Sequence, residues 1–182
     1  EKSLGDELGM SRTPVREALQ RLVMEGFMKG FSRKGSMVNE ISIVEAVEIV
    51  ELRMAVEEFV IQNLSLPLSG EQCAKLQAMV DYCHTNDCLR AAGNSSAFLE
   101  SDVEFHDYLA SLYGNQLLRD TLKSARERFL APGGVILRNR PQMLEALEGH
   151  VKILDALRKG DSEEAKRQMH AHMVFAKHVL IS

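Results

Sequence analysis

Leu8-Gly9-Met10-Ser11-Arg12-Thr13-Pro14-Val15-Arg16-Glu17-Ala18-Leu19-Gln20-Arg21-Leu22 is the stretch from which the rest of the chain can be read. Gly9-Met10-Ser11 supplies a tight turn, Ser11 or Thr13 can cap the helix that follows, and Pro14 falls in its first turn, where a missing N–H does no harm. Val15, Ala18, Leu19, Leu22 and Val23 then recur at three and four residues as one buried face, with Arg12, Arg16 and Gln20 on the other side. Upstream, Leu4 and Leu8 mark a short first helix. Downstream, Gly26 ends the second helix, and residues 27–38 predict two short strands around a glycine-permitted turn. Helix, tight turn and helix with outward arginines is the geometry that lays the second helix in a major groove. The arginine fork matches guanine O6 and N7, so Arg12 and Arg16 are the candidate base readers, and Thr13 offers a hydroxyl to base or phosphate. Lys2, Lys29, Arg33 and Lys34 are placed for phosphates or the adjoining minor groove. The plainer alternative is that these are ordinary solvated charges on a small helical head.

Charge supports a division of the chain. Residues 1–38 carry seven basic and five acidic side chains, a net +2, while the other 144 residues net −6, which together give the overall −4. A weakly basic head on an acidic body leaves the head as the nucleic-acid surface. The 182 residues are 45% hydrophobic with 4 prolines, which excludes a disordered or fibrous chain and fits one large or two small domains. Cys73, Cys83 and Cys88 are odd in number, and their loose spacing fits partly buried thiols better than a zinc site. No apolar run approaches the roughly 20 residues that cross a bilayer. A reducing, cytoplasmic setting is expected. The chain begins at Glu1, without a methionine, and enters at once into a helical pattern, so the natural N-terminus is expected to lie upstream.

Beyond Asn39 the pattern is helical to the end, and residues 41–182 are expected to form an all-helical body of about six helices. The first, residues 41–64, carries Val44, Val47, Val50, Met54 and Val56 with Glu45, Glu48, Glu51 and Glu58 between them, and Glu57 and Glu58 read as a solvated or dimer-facing charge patch. The remaining helices are expected at about 70–83, 95–113, 116–130, 141–159 and 162–180. Ser69, Ser95 or Ser96, and Asp161 or Ser162 serve as caps, and Gly114 and Gly160 as stops. Pro132-Gly133-Gly134 interrupts the pattern.

Three of the six histidines point inward. His106 lies four residues after Asp102, so the two share a side of their helix with Phe98, Phe105, Leu109 and Leu112. His150 lies between Leu147 and Leu154. Ala165, Met169, His172, Ala176 and Val179 form one stripe on the last helix, which buries His172 and turns His170 outward. Three inward histidines and an aspartate from three helices suit a first-row transition metal. From periodicity alone, a set of neutral core histidines bonded to backbone or carboxylate is the more ordinary reading.

Leu8 through Leu22, followed by Glu25-Gly26-Phe27 and Arg33-Lys34-Gly35, closely resembles the winged helix-turn-helix of the GntR family of bacterial transcription regulators. The resemblance implies a homodimer on a short palindromic double-stranded operator, with Arg12, Thr13 and Arg16 at the places of operator contact. Two departures stand out: the first helix of the winged domain is absent, and Gly5 stands where Ala is usual, which is expected to loosen the short helix. Asp102-Val103-Glu104-Phe105-His106-Asp107-Tyr108-Leu109, Gly114-Asn115, residues 148–157, Gly160-Asp161 and Ala165, Met169, His172 are similar to the FCD effector-binding domain of the FadR subfamily, over about residues 41–180. That resemblance implies that Asp102, His106, His150 and His172 hold a divalent transition metal (zinc, nickel or manganese) at the bottom of a cavity. Six helices are nearer its metal-containing branch than its seven-helix acyl-CoA-binding one. The effector implied is a small organic acid, with Arg53 either its carboxylate anchor or a member of a surface or interhelix salt bridge.

The leading expectation is a ligand-responsive transcription regulator, mainly helical, and not an enzyme. The alternatives are a metal-dependent enzyme on the same Asp/His cluster, which leaves Arg12 and Arg16 unexplained, and a helical interaction domain with structural histidines.

Overall fold

The computed structural model describes residues 2–25, 27–31, 35–38, 41–85, 95–130 and 139–182. The expectations for Gly26, Arg33, Lys34, Cys88 and Pro132-Gly133-Gly134 lie outside the described residues. The head comprises α1 (Lys2–Leu8), α2 (Arg12–Met24) and an antiparallel pair, β1 (Met28–Phe31) and β2 (Gly35–Val38), in register from Met28 opposite Val38 to Phe31 opposite Gly35. Gly35, the first residue of β2, has φ +93°, a backbone conformation that favours glycine. Ser11 is the extended residue before α2, but its side chain makes no capping bond, contrary to the expectation. The expected loosening at Gly5 is also corrected. Gly5 is buried, Met10 N–H donates to its carbonyl at 2.9 Å, and a Cβ there would stand 2.9 Å from the Met10 oxygen. The turn closes onto α1 because that residue has no side chain. Val15 fills the space beside it, 3% exposed.

The body is a six-helix bundle: α3 (Ile43–Gln62), α4 (Gly70–Thr85), α5 (Ser95–Tyr113), α6 (Gln116–Leu130), α7 (Arg140–Lys159) and α8 (Ser162–Ile181). Caps set several of its ends. Ser42 accepts from Glu45 N–H, Asn139 from Gln142 N–H ahead of Pro141 in the first turn of α7, and Asp161 from Glu164 N–H, each bond contributing about 1 kcal/mol. Ser69 and Gln72 bond reciprocally across the start of α4, at 2.8 and 3.2 Å. α7 ends at Gly160 in the left-handed conformation, and Asp161 at once opens α8, so the two helices lie as an antiparallel hairpin.

α3 packs on α5, α6 and α8, and α4 on α5 and α7. The main core draws Ile61, Leu76, Phe105, Leu147, Ile153, Leu157, Met169 and Met173 from five helices, and a smaller cluster joins Ala46 and Ile49 of α3 to Ala125 and Phe129 of α6. The face that α3 buries is not the one expected. Ile43 and Val44 are 64% and 69% exposed, and the buried residues are Ala46, Ile49, Val50, Arg53, Glu57, Val60 and Ile61. Glu57 is therefore a core residue and not part of a solvated patch. No helix among the described residues is long and apolar enough to cross a membrane.

Candidate metal centre and nucleic-acid face

Asp102, His106, His150 and His172 converge from α5, α7 and α8, with one ligand atom of each within 4.8 Å of all the others. The i,i+4 spacing on α5 sets Asp102 and His106 one above the other, with Asp102 Oδ1 3.8 Å from His106 Nε2. His150 Nε2 lies 3.3 Å from the same oxygen and 3.2 Å from His106 Nε2. Phe105 stacks on the His150 ring at 4.3 Å between centroids and 20° between planes, which fixes that ring's plane. His172 meets the other two imidazoles at 4.6 and 5.2 Å. It comes close because residue 149 on the facing helix is glycine: a Cβ there would stand 2.7 Å from His172 Nδ1. One edge of His172 also lines an open groove of about 510 Å³ between α7 and α8, with Glu148, Lys152, Gln168 and Phe175.

Electrostatics favours an ionised Asp102 beside neutral His150 and His172. Burial opposes the charge on Asp102, yet the hydrogen bond to His150 and the fields of His106, His150 and Arg53 outweigh it and hold this carboxyl well below its usual range. Burial pushes His150 below its ordinary value of 6.5, against the pull of Asp102, and pushes His172 further down. Deprotonated imidazole and ionised carboxylate are the forms that ligate a metal. Nδ1 of His172 is buried with no hydrogen-bond partner among the described residues, an expense that a core histidine ordinarily avoids. The donor set and this orphaned atom fit a divalent transition ion. His170 faces outward, 57% exposed at its side chain and 2.8 Å from Glu58 Oε1.

Arg53 is buried in α3, where its Nε–H donates to Glu57 Oε1 at 2.9 Å and its Nη2 has no partner among the described residues. The salt bridge is thus within one helix, neither on the surface nor between helices. Glu57 also meets His106 Nδ1 through Oε2. Burial works against its charge, but His106 and Arg53 hold the carboxyl far below the usual range. Sequence reasoning missed Glu57, as it missed Arg126 of α6, which is 4% exposed, lies 2.6 Å from Asp107 and donates to the Val103 carbonyl at 3.1 Å. A signal for Glu57 existed. It lies in Arg53, one turn before Glu57, which offers a compensating charge at i,i+4 on a helix without a clear polar face.

On the head, Arg12, Thr13 and Arg16 stand exposed on the first turns of α2, and Lys2 stands exposed at the start of α1. Arg12 and Arg16, four residues apart, share one face.

A helix-turn-helix head with a two-stranded wing, joined to a helical bundle that encloses a polar cluster, defines a DNA-binding regulator with a sensory domain. Residues 1–38 match the gntR family of bacterial regulatory proteins and residues 48–175 match the FCD domain, and the chain belongs to this family of ligand-responsive transcription regulators, which are not enzymes. It is 29% identical over 178 residues to the HTH-type transcriptional repressor RspR of Escherichia coli strain K12, an alignment covering 95% of this chain and 75% of that one. Among solved structures, E. coli McbR/YncC superposes with a TM-score of 0.82 at 23% identity, over 99% of this chain and 84% of that one. The metal-free FCD domain of TM0439 superposes with a TM-score of 0.61 at 17% identity, over 79% and 96%. At such identities the solved structures show a shared fold.

Proposed function

We propose that this chain is a homodimeric regulator of the FadR subfamily, in its metal-containing branch, in which a small organic acid sensed at the Asp102/His106/His150/His172 cluster sets the affinity of the head for a palindromic operator. The observation that carries the reading is the convergence of three imidazoles and a carboxylate in the bundle interior, where His172 Nδ1 has no partner among the described residues. Asp102, His106, His150 and His172 would hold the ion, which would supply Lewis acidity toward an effector carboxylate. Arg53, whose Nη2 has no partner among the described residues while its Nε is occupied by Glu57, is the residue to receive the remaining charge of the acid.

For the head, the exposed Arg12, Thr13 and Arg16 at the N-terminal end of α2 support base reading, and Lys2 supports phosphate contact. Arg33 and Lys34 are assigned to phosphates on sequence position alone. One recognition helix reads few base pairs, so two-fold symmetry and paired half-sites follow.

Metal stoichiometry of wild type, His172→Ala and His170→Ala by elemental analysis tests the cluster. Wild type and His170→Ala should carry metal, and His172→Ala should lose it. A wild type that takes up none of zinc, nickel or manganese, or a site that needs His170 instead, would refute it. Selection from a randomised duplex library tests the head, with two inverted half-sites as the expected product.

A further inference from the structure

We infer that Glu57 is the positioning residue of the cluster: its carboxylate, braced by Arg53, fixes His106 as the Nδ1–H tautomer and so turns the Nε2 lone pair of that ring toward Asp102 and His150. The inference rests on reading the cluster as a metal site.

His106 has two ring nitrogens with different neighbours. Nδ1 meets Glu57 Oε2, and Nε2 faces His150 Nε2 at 3.2 Å and Asp102 Oδ1 at 3.8 Å. An ionised carboxylate only accepts hydrogen bonds, so the single proton of a neutral His106 ring sits on Nδ1. Nε2 is then left with its lone pair directed at the other donors. The ring itself is fully buried, and because the Asp102 carboxylate lies 3.8 Å from Nε2, beyond hydrogen-bond reach, the carboxylate that bonds the ring among the described residues is that of Glu57.

The placement of Glu57 is otherwise hard to account for. It comes from α3, a helix that supplies none of the four candidate ligands, and it is 3% exposed in a bundle core where an apolar residue would pack at no desolvation expense. Its second oxygen is committed as well, since Oε1 accepts from Arg53 Nε. The two oxygens have separate duties, and this gives glutamine a distinctive consequence. An amide has one oxygen, so in Glu57→Gln its NH₂ must face either Arg53, donor against donor, or His106. The second choice makes Nδ1 the acceptor and moves the ring proton to Nε2, where an ion would have to sit.

The test has two arms, both on the full chain. First, long-range ¹H–¹⁵N correlation spectra of the metal-free protein, recorded above the ordinary histidine pKa of about 6.5, identify which nitrogen of His106 carries the proton. Wild type should show Nδ1–H, and Glu57→Gln a shift of population to Nε2–H. Second, zinc affinity measured by chelator competition should fall about 10–100-fold in Glu57→Gln. A purely structural ion pair would lower thermal stability and leave both readouts unchanged, which would overturn the assignment. So would a wild type whose His106 is protonated at Nε2. A wild type that binds zinc no tighter than the variant overturns the role of Glu57 alone, whereas a wild type that takes up no metal overturns the reading of the cluster and the purpose assigned here to Glu57 with it. The spectra do not depend on metal, so the two failures are told apart.

Discussion

Replacing Gly149 by alanine sets two effects of opposite sign against each other, and the structure says which prevails. In the interior of α7, Gly→Ala should stabilise by about 1 kcal/mol through helix propensity. The new Cβ, however, would stand 2.7 Å from His172 Nδ1 and 3.4 Å from its Cβ, where about 3.4 Å is the lower limit of ordinary contact. The ring must retreat by about 0.7 Å. Nδ1 lies next to the ring's attachment point, so the whole imidazole moves, within a cluster where His150 lies at 4.6 Å and His106 at 5.2 Å between ring centroids. Overpacking of this kind costs about 1–3 kcal/mol, leaving a net loss of roughly 1 kcal/mol and a fall in Tm of about 2–4 °C in the metal-free protein. The effect on metal should be larger in proportion, because ligand distances tolerate only about 0.2 Å; zinc affinity should drop at least about tenfold. Thermal melts with and without zinc, together with chelator competition, measure both. A raised Tm with unchanged zinc affinity would refute the argument, since it would mean that propensity wins and that the close approach of α7 to His172 places nothing.

Other outcomes follow from the same geometry. Arg16→Ala should weaken operator binding by about 1–3 kcal/mol and relax preference at one base pair of each half-site; an equal loss on specific and random duplexes in a competition assay would remove Arg16 from base reading. Lys2→Ala should instead weaken binding evenly across sequences and reduce its salt dependence, read as the slope of affinity against salt. In the metal-free protein, His150 and His172 titrate below their ordinary 6.5, so the unfolded chain binds more protons there and stability should decline as pH falls below about 6.5. Asp102 and Glu57, held below 3.8 and 4.5, should add a second decline below about pH 4; urea melts across this range that stay flat would count against the buried cluster. Sedimentation at micromolar concentration should give twice the 20.4 kDa of one chain, and a monomer would argue against paired half-sites.

What was legible in the sequence was whatever is decided within one helix or one turn. Asp102 and His106 share a face because four residues make about one turn, and His172 turns inward while His170 turns outward because two residues make just over half of one. The stops at Gly114 and Gly160 and the caps at Ser69 and Asp161 are likewise local, and the ends of α5 and α7 and the starts of α4 and α8 agree with them. Illegible were the features set by what a helix meets. α3 is apolar nearly all round, with Ile43, Val44, Leu52 and Phe59 exposed and Ala46, Val50, Val60 and Ile61 buried, so periodicity alone does not orient it.

Only contact with three other helices settles which face of α3 is inner, and that contact makes Glu57 comprehensible. A glutamate beside another glutamate reads as a solvated patch by composition, because isolated carboxylates do not enter cores. Glu57 enters because Arg53, one turn away, carries the compensating charge, and because His106, 49 residues further along the chain, presents a ring nitrogen to its other oxygen. The first partner is local and visible at i,i+4. The second exists only after α5 has docked on α3. A buried charge of this kind has two conditions, and a sequence displays one of them; an acidic residue one turn from a buried arginine, on a helix with no clear polar face, is therefore a better candidate for a core hydrogen bond to a distant histidine than for a surface patch.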